Sequence, residues 1–464
     1  MALIKSISGI RGTIGGKMGE NLTPMDVVQF VSAFVTFLQK DDQPLTLVIG
    51  RDSRVSGEII NQLACSTMRS LGANVIDLGL STTPTVEMAV VKHHADGGII
   101  LTASHNPMEW NALKLLNAAG EFISAEDGKR VLEIIAKQEY TFAPINRLGT
   151  YVQYDQAIDD HIDAILDLDL VQVEAIQNAN FSVILDCVNS TGGIALPKLL
   201  DRLGVKQVKV LNGEPTGIFS HNPEPLAKHL NGISDAMKRG KYQVGFVVDP
   251  DVDRLAIISE DGSMFVEEYT LVAVADYILR HTPGNTVSNL SSSRALRDIT
   301  QKYGMSYQAS AVGEVNVVEK MKETQAVIGG EGNGGVIYPA LHYGRDALVG
   351  IALFLSYMAE MNMDCTALRK RFPQYVISKN KIELRPGMDV PRILKHIADI
   401  YADHDVNTTD GVKIDFENGW VHLRPSNTEP IIRIYAEGQT EKLADNMANK
   451  IIADIREFLQ TNKK

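Results

Sequence analysis

At 464 residues the chain is too long for one hydrophobic core and implies roughly three or four domains. Its 44% hydrophobic and 22% charged residues are those of an ordinary soluble globular protein. With 45 basic against 57 acidic side chains, the net charge of −12 disfavours generic nucleic-acid binding, which needs a basic face. Cys65, Cys187 and Cys365 are odd in number, widely separated and without metal spacing, which suggests a reducing compartment and no disulfide framework. The N-terminal stretch lacks an apolar signal core and no apolar run approaches membrane length, so a cytoplasmic enzyme or binding protein is expected.

In chain order, SISGIRGTI is a glycine-punctuated stretch that carries Arg11. Apolar spacing predicts a helix over 25–38, entered through Thr23 as N-cap and Pro24 in the first turn. A strand over 45–49 leads into GRDSRVSGE (50–58), whose Arg51 and Arg54 either hold a phosphate or brace the loop through Asp52. A helix over 59–71, a strand over 74–78 and a helix over 84–93 follow. Such alternation implies a parallel sheet with helices on both faces.

The stretch GIILTASHNPMEWNALK (98–114) is the pivot of this first unit. Residues 98–101 read as the end of a buried strand, and Asn106-Pro107 then stops regular structure, because proline lacks an N–H and restricts its predecessor. Ser104 therefore lies on a tight loop at the carboxyl end of a strand, where open α/β sheets place their chemistry, with His105 beside it. Alone, the same residues also fit a turn whose side chains bond local backbone.

A second unit has a strand over 182–186, the polar loop CVNSTGG (187–193), a helix over 194–203, a strand over 208–211 and the proline-broken loop SHNPEP (220–225). It ends in VGFVVDPDVDRLAII (244–258), where Asp249, Asp251 and Asp253 recur at every second residue after an apolar strand. Alternation along an extended segment would aim them one way. Three converging carboxylates repel one another unless a hard cation, Mg2+ by preference, lies among them. A calcium loop of the EF-hand type fails despite Glu260 at the twelfth position, because the sixth is Arg254 rather than glycine and LAIIS continues as a strand. A solvated acidic turn is the other reading.

A third unit places a helix over 269–279, a strand over 286–290 and SSSRAL (291–296) before another helix. GEGNGG (330–335) has dinucleotide-fingerprint spacing, but the β-branched Val336-Ile337 and Pro339 that follow leave no helix N-terminus for it. It reads as a flexible loop whose Glu331 suits gripping sugar hydroxyls; HYGRD (342–346) follows. From about Gln374, KIELRPG, GVKIDF, GWVHLRP and IIRIYAEG predict an antiparallel sheet with flanking helices, a separate α+β domain. Within it, Ser426, Asn427 and Thr428, between Arg424 and Arg433, form a nest of donors suited to phosphate, or a polar hairpin loop.

The serine, acidic, glycine-rich and C-terminal loops, taken together, resemble those of the α-D-phosphohexomutase superfamily in order and spacing across essentially the whole chain. The resemblance implies three similar α/β domains with mainly parallel mixed sheets, plus a smaller, four-stranded C-terminal α+β domain, around a central cleft. Their bounds are 1–150 with the phosphoserine loop, 151–256 with the metal loop, 257–370 with the sugar loop and 371–464 with the phosphate loop. It further implies a mutase interconverting hexose 6-phosphate and 1-phosphate through a phosphoserine enzyme and a bisphosphate intermediate. Ser104 would be the phosphoserine, and Asp249, Asp251 and Asp253 would hold one Mg2+ per chain together with a phosphoserine oxygen. Lys114 and Arg11 would be the acid/base and charge-stabilising pair, with Lys114 or His105 as general base. Arg254 would support the reacting phosphate, Glu331 and Asn333 the sugar, and Arg424, Ser426, Asn427, Thr428 and Arg433 the other phosphate. A hexose 1,6-bisphosphate would be the activating phosphate donor.

Two departures bear on the substrate. Gly332, Asn333, Gly334 and Gly335 replace the Glu-x-Ser-Gly-His type of loop of many bacterial relatives, and Glu314 stands where phosphomannomutase/phosphoglucomutase relatives tend to have histidine. Both look closer to archaeal-type phosphoglucosamine mutases, and a carboxylate near an amino sugar's ammonium favours glucosamine phosphate over glucose or mannose phosphate. A hydrolase using Ser104 and His105 is the rival class, but no Gly-x-Ser-x-Gly elbow surrounds the serine and adjacent residues rarely share triad geometry. A non-catalytic sugar-phosphate-binding protein is the second rival; it would not require an intact serine or acidic triad. The partners expected are a phosphosugar and, left open, a second copy in a homodimer, with neither nucleic acid nor membrane.

Overall fold

Thr23 and Asp26 form a reciprocal capping box, and with Pro24 in the first turn they start helix Pro24–Leu38 where the sequence places it. The computed structural model describes residues 3–6, 9–40, 43–384, 388–426 and 431–461. It divides into one unit of Met1–Ile278 with Asn333–Arg369 and another of Leu279–Gly332 with Lys370–Lys464.

In the first unit, a seven-stranded sheet runs in the order Ile4–Ser6, Gly9–Thr13, Trp110–Leu116, Gly97–Leu101, Thr46–Arg51, Asn74–Leu80, Tyr151–Gln153. Thr46–Arg51 is parallel to both its neighbours, whereas Trp110–Leu116 is antiparallel to Gly97–Leu101 and to Gly9–Thr13. That reversal matters for function. Gly9 pairs with Lys114 and Arg11 with Ala112, so Arg11 and Lys114 emerge on one face of adjacent strands. Val31, Phe34, Leu47, Ile49, Ile99 and Leu113 fill the core against which this sheet is fixed.

A second sheet in the same unit orders Leu255–Ser259, Val244–Val248, Ser182–Asp186, Gln207–Leu211, with only Leu255–Ser259 antiparallel to its neighbour. The acidic loop joins the first two of these strands and is a tight turn rather than an extended segment. Val252 has φ +62°, and its N–H donates to the Asp249 carbonyl at 3.1 Å. Strand alternation is thus not what brings the three aspartates together; the chain folds back on itself because it must reverse direction within six residues.

In the second unit, Thr286–Asn289 lies between Tyr307–Ser310 and Ile328–Glu331, parallel to both. An antiparallel sheet follows in the order Val376–Glu383, Ile431–Gly438, Gly419–Pro425, Val412–Phe416, Asp405–Asn407. Helices Val390–Ile400 and Glu441–Thr461 cover one apolar core with it. It has five strands where the resemblance implied four. The extra one, Asp405–Asn407, is a three-residue edge pairing with Val412–Phe416, too short to show a period in sequence. Glu331 also differs from expectation: it ends a buried strand and is not on a flexible loop. Among the described residues no helix is long and apolar enough to cross a membrane.

Candidate active site

Ser104 sits just past strand Gly97–Leu101 with its backbone in the left-handed region, φ +49°, which is unfavourable for a residue bearing a Cβ. The turn is held by Arg54, only 1% exposed and distant in sequence. Its Nη2 donates to the carbonyls of Ser104 and Asn106 at 2.5 and 2.7 Å, and its Nη1 to those of Pro107 and Trp110 at 2.6 and 2.9 Å. Its Nε donates to Asp52 Oδ2 at 3.0 Å. That same carboxylate oxygen accepts from Thr102 Oγ1 at 2.6 Å, and Thr102 Oγ1 accepts the Ser104 N–H at 2.9 Å. Of the two roles open to the 50–58 loop, Arg54 performs the bracing one.

Ser104 Oγ is aimed across the unit and donates to Asp249 Oδ2 at 2.8 Å. His105 Nδ1 lies 3.4 Å from the same hydroxyl. The neighbouring Arg254 charge, then burial, then Arg11 push the His105 imidazole down to a pKa of about 2, so it is neutral and weakly basic. Arg11 Nη1 donates to Asn106 Oδ1 at 2.9 Å, which ties it to the serine loop.

Asp249, Asp251 and Asp253 are all but inaccessible, and oxygens from all three lie within 4.8 Å of one another. Lys114 Nζ donates to Asp251 Oδ2 at 2.8 Å and is 3.9 Å from Asp253 Oδ2. The Arg254 N–H donates to Asp249 Oδ1 at 3.2 Å. Burial and then the charges of Asp253 and Asp251 raise Asp249 well above the usual carboxylate range. Burial would raise Asp251 as well, but the Lys114 ammonium holds it far below. Burial would lower Lys114, yet Asp251 and Asp253 outweigh it and raise the lysine. Asp251 Oδ1 and Asp253 Oδ1 are buried without a hydrogen-bond donor among the described residues. Hard, inward-facing, partly unsatisfied carboxylate oxygens are the donor set that Mg2+ takes.

In the second unit, Glu331 Oε1 accepts from Asn289 Nδ2 at 2.7 Å and from the Gly313 N–H at 3.1 Å. This brings Glu331 beside Glu314, the first residue of helix Glu314–Thr324. The Val312 N–H donates to Asp410 Oδ2 at 2.9 Å, and Arg424 Nη1 lies 3.6 Å from that oxygen. Arg424 is directly opposite Arg433, which is directly opposite Lys381, so three cations line one face of three strands. The Ser426 N–H donates to the Ile431 carbonyl at 2.9 Å. Asn427 and Thr428 lie outside the described residues. Asn333 belongs to the first unit, where its Oδ1 accepts from the Gly335 N–H at 3.2 Å.

Models of phosphoglucomutase/phosphomannomutase α/β/α domains I, II and III match residues 3–142, 159–262 and 267–375, and that of the C-terminal domain matches 380–454. The chain belongs to the phosphoglucomutase/phosphomannomutase family, within the α-D-phosphohexomutase superfamily. It is an enzyme of the phosphohexomutase type, an isomerase. It is 36% identical over 441 residues to the phosphoglucomutase/phosphomannomutase of Thermococcus kodakarensis, covering 93% of this chain and 95% of the relative. It is 31% identical over 458 residues to the phosphoglucosamine/phosphogalactosamine mutase of Sulfurisphaera tokodaii, covering 97% and 98%. A crystal structure of a phosphoglucomutase/phosphomannomutase family protein from Burkholderia thailandensis shares the fold, with a TM-score of 0.82 at 24% identity over 99% of this chain and 98% of that one.

Several residues around this candidate site escape a reading by motif. Thr83 Oγ1 donates to Asp251 Oδ2 at 2.7 Å, and Arg345 Nη2 to Asp253 Oδ2 at 2.6 Å. Ser190 and Thr191, in the CVNSTGG loop, both donate to the Pro250 carbonyl, at 2.7 and 2.9 Å, and so support the acidic turn from behind. Polar residues directly after a strand were the available signal for Ser190 and Thr191. Lys381 carried none, since its partnership with Arg433 exists only through strand register.

Proposed function

We propose that this cytoplasmic enzyme interconverts a hexose 6-phosphate and its 1-phosphate through phosphorylated Ser104 and a bisphosphate intermediate, with glucosamine phosphate preferred. The four domains would be 1–150, 151–256, 257–370 and 371–464. The observation that carries the proposal is the Ser104 hydroxyl, braced in a strained turn and aimed 2.8 Å from a buried carboxylate triad that also binds Lys114.

Asp249, Asp251 and Asp253, with an oxygen of the phosphorylated serine, are the residues that would hold one Mg2+. Bound there, the ion would neutralise charge on the transferring phosphoryl group and offset the carboxylate field that holds Lys114 as an ammonium. In the transfer, the phosphorus–oxygen bond to Ser104 breaks as one to a sugar hydroxyl forms, and Lys114 exchanges the hydroxyl's proton. Arg11 and Arg254 face the phosphoryl oxygens. His105, whose imidazole Arg254 and burial hold low, stands 3.4 Å from the serine hydroxyl and orients it. In the second unit, Glu331 grips sugar hydroxyls, while Arg424, Arg433, Ser426, Asn427 and Thr428 hold the non-reacting phosphate. Three like charges in register repel one another, and a bound anion relieves that cost. A hexose 1,6-bisphosphate restores the phosphoserine when it is lost.

Glu314 supports the amino-sugar preference, as it is buried and directly follows Gly313, whose N–H bonds Glu331. An ammonium there gains about 1 kcal/mol or more over a hydroxyl. The second reading, a glucose and mannose phosphate mutase, is favoured by the name of the 36% identical relative. Side-by-side kinetics on the three sugar phosphates tests the choice. Glucosamine phosphate should give the highest kcat/KM, and Glu314→Gln should narrow its lead roughly fivefold or more while sparing glucose phosphate. A preference for glucose or mannose phosphate, or an equal loss on all three, removes the amino-sugar assignment and leaves the mutase assignment standing.

A further inference from the structure

A second group of metal-type ligands lies in the first unit, made of residues other than the aspartate triad and unused in the proposed phosphoryl transfer. His161 comes from helix Ala157–Leu166, while His342 and Asp346 lie just ahead of helix Ala347–Met361. The side chains of His161 and Asp346 are fully buried, and that of His342 is 11% exposed. Both imidazoles turn Nε2 toward a single oxygen: His161 Nε2 is 2.9 Å and His342 Nε2 3.4 Å from Asp346 Oδ2. Oδ1 of the same aspartate is already engaged, accepting the Leu348 and Val349 N–H groups as the helix N-cap.

The far side of each ring indicates what the near side can do. His342 Nδ1 faces Glu87 Oε2 at 3.4 Å. A carboxylate accepts only, so Nδ1 carries a proton; Nε2 likewise donates toward Asp346. Although burial would lower the ring, Asp346 and Glu87 outweigh it and raise it to about 10, so an ion would have to displace the Nε2 proton. His161 Nδ1 lies 2.9 Å from Thr85 Oγ1, which can accept its proton while donating to Thr82 Oγ1 at 2.7 Å. With the Nε2 protons displaced by an ion, two imidazole lone pairs and a carboxylate lone pair would converge. Bonds of about 2.0–2.1 Å to one ion put its ligand atoms roughly 2.8–3.4 Å apart between right-angled and tetrahedral arrangements, and the separations of 2.9 and 3.4 Å fall in that range. A histidine whose other nitrogen is held by a carboxylate or hydroxyl is the usual support for such a ligand. The packing is committed to this arrangement: a Cβ on Gly344 would come within 1.8 Å of Glu87 Oε2.

We propose that His161, His342 and Asp346 form a second metal site, distinct from the aspartate triad and suited to a first-row transition ion of the Zn2+ class. Two imidazoles and one carboxylate select such an ion over Mg2+, which prefers oxygen. The site would join three segments of the unit, and two of them also reach the triad. Thr83, on the helix that carries Thr85 and Glu87, bonds Asp251, and Arg345, next to Asp346, bonds Asp253. A metal here would therefore stiffen the rear support of the reaction centre without touching substrate.

The test is equilibrium dialysis of the whole enzyme against Zn2+ or Co2+ in saturating Mg2+, with elemental analysis and the visible spectrum of the Co2+ form. Wild type should hold one tightly bound transition ion, and so should Asp251→Asn, whose triad is damaged. His161→Gln with His342→Gln should hold none, and Glu87→Gln should bind roughly ten- to a hundredfold more weakly. If the double variant does not fold, His342→Gln alone, at the accessible rim, should still lose the ion. Folded wild type without a transition ion overturns the proposal and leaves a hydrogen-bonded network with His342 protonated on both nitrogens. Binding unchanged in the histidine variants, or lost in Asp251→Asn alone, overturns it too. None of these readouts depends on mutase activity.

Discussion

The loops proposed to carry the reaction in the first unit and the residues proposed to hold the distal phosphate in the second differ in burial. The triad carboxylates are at most 1% exposed, and Lys114, Thr83, Arg345 and Ser104 each donate into them. In the second unit the Asp410 and Arg424 side chains keep 22% and 19% of their exposure, and Lys381 is open to solvent. The difference is the one the proposed tasks would require. Phosphoryl transfer needs charges fixed before reaction in a water-poor site, where they act strongly. A loop that must take and release a phosphate does better with charges that water can reach. Both units rely on a buried arginine that takes no part in chemistry. Arg54 holds the serine turn, and Arg294 joins SSSRAL to the C-terminal sheet through the Gly419 carbonyl at 2.7 Å and Asp415 at 3.0 Å.

That contrast is best broken by exchanging its kinetic signatures, where the effect should be largest. Asp251→Asn should lower kcat on the order of a thousandfold, and chelation should remove activity that Mg2+ restores. Arg424→Met should instead raise KM about tenfold or more with kcat nearly kept. Steady-state kinetics reads both. A kcat loss from Arg424→Met with KM unchanged, or full activity in metal-free enzyme, would break the division of labour.

The two arginines sharpen it at an intermediate scale. Arg54→Met leaves Asp52 buried without its charge partner and takes one donor from each of four carbonyls, so urea denaturation should show a loss of about 3–5 kcal/mol. Arg294→Met should cost a similar amount. Only the substitution at Arg54 should also lower kcat in protein that is still folded, because only Arg54 holds the turn that presents Ser104. Equal kcat in the two folded variants would deny Arg54 its part in presenting the serine.

The smallest effect is electrostatic and lies in the first unit but outside its reaction centre. His221 Nε2 is 3.1 Å from Asp186 Oδ2; burial would lower the imidazole, yet the bond and charge of Asp186 raise it above 6.5. The stabilisation is therefore fully present below about pH 6.5 and is lost as the pH rises through the higher folded value. Relative to His221→Gln, wild type should be more stable at pH 5.5 than at pH 9 by about 1 kcal/mol, read from paired denaturation curves. The same difference at both pH values would mean that the histidine does not titrate with folding.

Much of this was legible in the sequence where the information is local. Strand 182–186 coincides with the observed strand Ser182–Asp186, and TASHNP and DPDVDR lie at strand ends as read. What one segment does to another was not legible. The convergence of Asp249, Asp251 and Asp253 was foreseen for the wrong reason, since the turn at Val252 rather than strand alternation produces it. Thr83 and Arg345 gave no signal, because they reach the triad from 168 and 92 residues away. The 50–58 loop could be narrowed only to two roles, since the four carbonyls that decide between them belong to another loop.

The central claim is that Ser104 carries the phosphoryl group. Intact-mass spectrometry of the purified enzyme, followed by peptide mapping, tests it most directly. The account predicts a phosphate-sized adduct at partial occupancy on Ser104, absent from Ser104→Ala together with most of the activity. An adduct on another residue, with Ser104→Ala fully active, would contradict it.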